Sequence, residues 1–313
     1  MTSQRPAQSM VKEQPQAMAQ QPTAQLSMPA SVIQELVNQR HKEIEEMHAR
    51  SAEQLRVTEE RGQKQLKRVV EKLSKEEENL LQKLSSTQVE FAKEARTSIA
   101  DIKAKVAQPS VAAPLRELRP TFAPSGITTL FPYYLTLYNS NGGVIWQGPN
   151  PGRATLSTDC QGSGSGIFGT GACSGTVRAE WWYYHSTSTS RWYSYTMNAP
   201  FAGFYIDYSD DGFWDSKEAR ISLDVSIIGY QYGYKSNSNA NLLYYDSQNI
   251  DVNNRFDETA IEYYGDLLGG PDIAYLRVSE SFTVYARGGG SHAELNFADG
   301  SANYLDPPWV YVS

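Results

Sequence analysis

The sequence predicts an α+β chain in several parts, in which a long N-terminal helix precedes an antiparallel β-sandwich head. Residues 31–107 contain no proline and a single glycine, and their apolar side chains recur mostly at steps of three or four. From residue 127 onwards the apolar period changes to two, with turns rich in Gly and Asn roughly every 8–15 residues. All six Trp and all twenty Tyr lie in this second part, as is typical of β-rich binding domains.

The helical stretch, residues 31–107, has no partner within its own length. At ~1.5 Å per residue it would form a rod of roughly 115 Å, which is longer than a globular core is deep. Two arrangements supply a partner. In the first, which we expect, other copies of the chain join it in a coiled-coil stalk, a dimer or trimer, since Leu73, Leu80, Leu84 and Phe91 follow a heptad seam. In the second, the chain folds back at Gly62 into a helical hairpin.

The remaining boundaries follow from composition. Residues 1–30 are rich in Gln, Ala, Pro and Ser, and we expect a disordered tail. Four prolines punctuate residues 108–125, which predicts a semi-rigid linker. Residues 126–313 then form the head, a β-sandwich of roughly eight to ten strands. Three hairpins are predicted within it, by strand-like runs at 133–138 with 144–147, 176–185 with 191–199, and 293–297 with 302–305.

A dense aromatic run, residues 181–184, is the candidate ligand-binding surface. Alternate residues of a strand face opposite ways, so Trp182 and Tyr184 share one face, and Trp192 joins them if residues 186–190 form a hairpin loop. An exposed aromatic row of this kind can stack on sugar rings or on a protein surface. The alternative is cross-strand packing that only stabilises the sheet.

A second motif, residues 207–218, spaces oxygen-bearing side chains around Gly212. Its acidic residues and the flanking positions resemble the twelve-residue calcium loop of the EF-hand family. The resemblance implies a calcium site, although strand-like flanks replace the paired helices of that family, and the alternative is a solvated acidic turn. The implied ligands are Asp207, Ser209, Asp211, Asp215, Glu218 and the carbonyl of Phe213.

The two cysteines, Cys160 and Cys173, bracket a glycine-rich loop. Their spacing suits a disulfide that tethers the loop, and the alternative is a pair of free thiols in a reducing compartment.

No catalytic motif is found, so the expected function is non-enzymatic. We expect attachment or recognition, as in a fibre, adhesin or lectin, with the head binding a surface glycan or protein and the helix multimerising it. The alternative is a toxin-like protein whose helix rearranges or inserts into a membrane. The net charge of −7 and the lack of a basic stripe argue against nucleic acid. With no signal peptide, an extracellular location would require particle assembly, lysis or signal-less secretion.

Overall fold

The computed structural model describes residues 30–107, 128–140, 144–147, 154–165, 169–210, 217–232, 234–270, 272–297, 303–305 and 307–313. The N-terminal part forms two helices, α1 (Ala30–Val70) and α2 (Lys75–Val106). The chain turns just before Ser74, whereas Gly62 continues α1. Ser74 and Glu77 form a capping box that starts α2, so the break needs no glycine or proline.

The regular secondary structure in the described part of the head is entirely β-strand. Its fourteen strands are β1 (Thr128–Leu130), β2 (Tyr134–Ser140), β3 (Val144–Gln147), β4 (Ala154–Gln161), β5 (Ser163–Ser165), β6 (Gly169–Thr187), β7 (Arg191–Ser209), β8 (Glu218–Gln231), β9 (Tyr234–Ser247), β10 (Ile250–Leu268), β11 (Asp272–Arg287), β12 (His292–Asn296), β13 (Tyr304–Leu305) and β14 (Trp309–Val312).

These strands form two antiparallel sheets. Sheet A is built around β7, which pairs with β10 along one side and with β14, β13 and β12 in succession along the other. β1 extends it beyond β14, and β4 and β3 extend it beyond β12. Sheet B has the order β2-β6-β11-β8-β9, with the short β5 paired to β6. Among the described residues β9 is therefore an edge strand, and its pairing with β8 carries a register shift between Leu223 and Asp224.

The three predicted hairpins are wrong in their pairing. β2 pairs with β6 and β3 with β4, so the first pair of runs divides between the two sheets. β6 belongs to sheet B and β7 to sheet A, so the second pair divides in the same way. β12 and β13 each pair with both β4 and β7 and lie one after the other along them. Inward-facing residues alternate in the same way on either sheet, so alternation alone does not choose the partner strand.

The inner faces of the two sheets share one hydrophobic core. Trp181 and Tyr183 of β6 lie in it together with Tyr193 and Tyr195 of β7, and all four side chains are buried. The predicted alternation along the aromatic run is correct, but these residues belong to opposing sheets rather than to one hairpin.

The two helices contact opposite sheets of the head. α1 packs on the outer face of sheet B, where Ile33 and Val37 cluster with Tyr134 and Trp182. α2 approaches sheet A, where Lys103 forms an ion pair with Glu294 of β12. The apolar stripe of the helical stretch is thus used in part by the chain's own head, and the structure does not show a coiled coil.

Candidate functional site

A groove runs between α1 and the outer face of sheet B, with a volume of about 240 Å³. α1 supplies one wall through Val32, Leu36 and Arg40, together with Gln39 and Glu43. The ends of β8 and β11, with the turn after β8, supply the floor. The floor is lined by Tyr230, Gln231, Tyr232, Ile273 and Tyr275.

The floor of this groove continues a row of tyrosines across three strands. Tyr275 of β11 pairs in register with Tyr184 of β6 on one side and with Tyr230 of β8 on the other. Since neighbouring strands lie about 4.8 Å apart, this tyrosine row (Tyr184, Tyr275 and Tyr230) covers roughly 10 Å. All three tyrosines are half-buried, and Tyr275 and Tyr230 line the groove.

Tyr232 stands at the open end of the groove and is 71% exposed. Its backbone has φ of 51°, the left-handed conformation, where the chain turns from β8 towards β9. The Tyr232 hydroxyl hydrogen-bonds the Asp272 carboxylate, which lowers the pKa of Asp272 and raises that of Tyr232. The Gln231 amide exchanges two hydrogen bonds with the backbone of Gly269, at 2.8 and 2.9 Å, and so fixes the neighbouring turn.

A buried layer of charge lies beside the groove, and Arg40 joins the two. The Glu180 carboxylate is fully buried and accepts a 3.2 Å hydrogen bond from Nε of Arg40 on α1. Arg178 and Arg277 of sheet B approach the same carboxylate at 3.7 and 3.8 Å. Burial lowers the pKa of Arg178, while Glu180 opposes this change. Three guanidinium groups therefore share a single buried carboxylate.

Trp182 lies in this buried layer and not on a free surface. Its indole N–H donates to the Thr136 hydroxyl at 3.0 Å, and its ring stacks on Tyr230 with centroids 5.9 Å apart. The Arg277 guanidinium lies 5.7 Å from the Trp182 ring and 5.9 Å from the Tyr230 ring. α1 covers this assembly, so Trp182 supports the floor of the groove through its contact with Tyr230.

The structure does not bring together the three predicted ligand-binding residues. Tyr184 belongs to the tyrosine row, and Trp182 lies two residues before it on β6, under α1. Trp192 lies on β7 of the other sheet and is 70% exposed. Sequence reasoning missed Arg40, Tyr230, Tyr232 and Tyr275. Alternation placed tyrosines on strands, but only the register of β11 between β6 and β8 aligns them.

The predicted calcium ligands lie partly outside the described residues, which end at 210 and resume at 217. Asp207 is fully buried, and neither of its carboxylate oxygens has a hydrogen-bond partner in the described part of the chain. Burial and the nearby Asp246 raise the pKa of Asp207 to about 8, against an opposing effect of Arg220. Ser209 is buried too, and its hydroxyl donates to the Ser247 carbonyl at 3.2 Å.

Glu218 has a different environment from Asp207. Its carboxylate pairs with Arg220 at 3.1 Å and with Arg287 at 3.3 Å. Within the described ranges, no group of three or more His, Cys, Asp or Glu residues could hold a metal ion. Asp211, Phe213 and Asp215 lie outside those ranges. Calcium binding stays a prediction, which melting of the protein in millimolar calcium and in chelator would test.

The structure joins Cys160 and Cys173 by a disulfide, with Cα atoms 5.5 Å apart. Of the helices in the described part of the chain, none combines the length and apolar character needed to span a bilayer.

Comparison with known proteins gives no family. No family model matches the chain, and no curated protein matches it. One similar solved structure is TmCBM61 in complex with β-1,4-galactotriose, at 7% identity and a TM-score of 0.20, covering 59% of this chain and 88% of that one. Another is the enzymatically active domain of tailspike protein 4 of bacteriophage CBA120, at 12% identity and a TM-score of 0.16, covering 59% of this chain and 19% of that one. At such TM-scores neither likeness decides the fold or the function.

Proposed function

We propose that the protein recognises a surface glycan, without catalysis, in the groove between α1 and the tyrosine row. The observation that carries this proposal is the alignment of Tyr184, Tyr275 and Tyr230 on adjacent strands beside a polar wall. Sugar rings present apolar C–H faces and polar hydroxyl edges. Tyrosine offers the matching pair, an apolar ring with a hydroxyl at its edge.

Both the floor of the groove and its α1 wall contribute to this recognition. The Tyr275 and Tyr230 rings stack on the C–H faces of successive sugars, and Tyr232 stacks on a sugar at the open end. Arg40, Gln39 and Glu43 on α1 offer hydrogen bonds to hydroxyl groups. Because Gln231, Trp182 and the Glu180 cluster hold the floor in place, little side-chain freedom is lost when the ligand binds.

A binding measurement with the full chain tests the proposal. The protein is screened on a glycan array, and the best glycan is titrated by calorimetry against wild type, Tyr275→Ala and Tyr232→Ala. We expect each substitution to weaken binding about 10-fold, since an aromatic contact contributes roughly 0.5–1.5 kcal/mol beyond its buried area.

Tyr244→Ala is the matched control, because Tyr244 is an exposed tyrosine on β9, away from the groove. It should bind the glycan as wild type does. Unchanged affinity in Tyr275→Ala and Tyr232→Ala, or no glycan bound by wild type, would contradict the proposal.

A further inference from the structure

The apolar stripe of the two helices meets two different environments. Where the helices lie on the head the stripe is buried, as at Ile33, Val37 and Ile44 on α1 and at Ile99 on α2. α1 reaches the head as far as Glu59, whose carboxylate accepts from the Ala172 N–H at 3.2 Å. α2 returns to it at Ala92, which lies against Gly289 and Gly290.

Between these contacts, residues 60–91 form the hairpin tip, and several of its apolar side chains are exposed. Val69, Leu80 and Phe91 are each 58% exposed. On α2 the positions Leu80, Leu84, Thr87 and Phe91 are spaced i, i+4, i+7 and i+11, and they fall within about 60° of the helix circumference. This is the spacing of a coiled-coil seam, and along it Leu80, Thr87 and Phe91 are exposed while Leu84 is half-buried.

The charges of the hairpin tip narrow the choice of partner. The last turns of α1 and the following turn are mostly basic, since Lys64, Lys67, Arg68 and Lys72 outnumber the one acid, Glu71. The first turn of α2 is acidic, with Glu76, Glu77 and Glu78. A second copy related by a two-fold axis can set its basic segment beside the acidic segment of the first, and the reverse contact forms at the same time. An anionic membrane or a uniformly charged partner would meet like charge at one of the two segments.

We propose that the hairpin tip is a docking surface for a second copy of this chain, with the stripe of Leu80, Leu84, Thr87 and Phe91 as its seam. The interface is confined to residues 60–91, because the rest of the helical stretch lies on the head of its own chain. The glycan grooves stay open in the dimer, and the heads lie outside the seam. An interface of this size belongs among the small ones, so we expect reversible association.

The mass of the full chain in solution tests this proposal. By sedimentation equilibrium, wild type should rise with concentration from 34.9 kDa towards twice that value, with half association between about 1 and 100 µM. Leu80→Lys combined with Phe91→Lys should weaken association at least about 100-fold, since each copy loses two apolar side chains from the seam. Circular dichroism checks that the variant keeps its helices.

Val89→Lys is the matched control, because Val89 is also exposed on α2 but lies on the opposite side from the seam. It should dimerise like wild type. A wild type that stays monomeric at 100 µM overturns the proposal. So does equal weakening by Val89→Lys, and so does a monomer that floats with anionic liposomes until Leu80 and Phe91 are replaced.

Discussion

The two helices are attached to the head by similar charges but different packing. Arg40 of α1 reaches the buried Glu180 of sheet B, and Lys103 of α2 reaches the buried Glu294 of sheet A at 2.7 Å. The contact of α1 adds large apolar side chains, Ile33 and Val37. The contact of α2 buries Ile99 and adds a close approach, since Ala92 and Ala95 lie against Gly290.

This difference indicates separate roles for the two attachments. On sheet B, α1 forms one wall of the groove, so its position decides the shape of the proposed glycan site. On sheet A, α2 attaches the second arm of the helical hairpin to the head. Nη1 of Arg255 donates a hydrogen bond to the Val106 carbonyl in the last turn of α2. A buried acid on each face therefore fixes the direction in which the hairpin tip leaves the head.

The largest expected effect concerns the acid beneath α1. Glu180→Gln should lower the free energy of unfolding by about 3–5 kcal/mol, because Arg178 and Arg277 would lose the carboxylate that they share and Arg40 would keep only Glu43. Urea unfolding at pH 7 measures the change. Glu43→Gln, which removes the more exposed partner of Arg40, should cost less than about 1 kcal/mol. A loss in Glu180→Gln as small as in this control would show that α1 is held mainly by apolar packing.

The acid beneath α2 should instead appear as a dependence of stability on pH. Burial raises the pKa of Glu294, but hydrogen bonds from His292, Asn296 and Lys103 outweigh it and lower the pKa to about 2. Because the folded-state pKa lies below the unfolded value, its stabilisation is present above about pH 4.5 and is lost as the pH falls towards 2. We expect the free energy of unfolding to fall by about 2–3 kcal/mol over that range.

Urea unfolding between pH 5 and 2.5 tests this dependence, with Glu294→Gln as the comparison. The stability difference between wild type and this variant should shrink as the pH falls. A difference that stays constant across the range would mean that Glu294 does not contribute through its charge.

The smallest expected effect concerns close approach at Gly290. Its φ is +93°, and an added Cβ would lie 3.3 Å from both Ala92 and Ala95, so Gly290→Ala should cost about 1–2 kcal/mol. Gly62→Ala is its matched opposite, because Gly62 lies in α1 with nothing near its Cβ position and should gain about 0.5–1 kcal/mol. Thermal melts compare the two variants. A shift in the same direction for both would contradict the close packing of α2.

Periodicity predicted the parts of the fold that depend on local spacing. Helices over the first stretch, strands after it, and the opposite faces of alternate residues in the aromatic run all follow from it. Strand pairing could not be predicted, because inward and outward residues alternate identically on either sheet. For the same reason only Tyr184 of the tyrosine row was identified.

The attachment of the helices to the head was missed for another reason. An apolar stripe on a helix fits the outer face of a sheet as well as it fits another helix. The deciding residues, Glu180 and Trp182, look like ordinary outward positions of a strand until a helix covers them. The sequence alone therefore favoured a second copy of the chain as the partner of the whole stripe. In the structure, part of the stripe packs on the head and part is exposed at the hairpin tip.

The edge of sheet B at β9 bears on aggregation. A long edge strand offers unpaired backbone groups to other chains, and such edges are common starting points for amyloid-like stacking. β9 is rich in Ser and Asn over its first half, and the Asn241 amide donates to Asp224 and Ser222 of β8. The register shift between Leu223 and Asp224 also interrupts the regular hydrogen-bond pattern between β8 and β9. We therefore expect crowded copies of this protein to remain in solution, with β9 a poor template for an incoming strand.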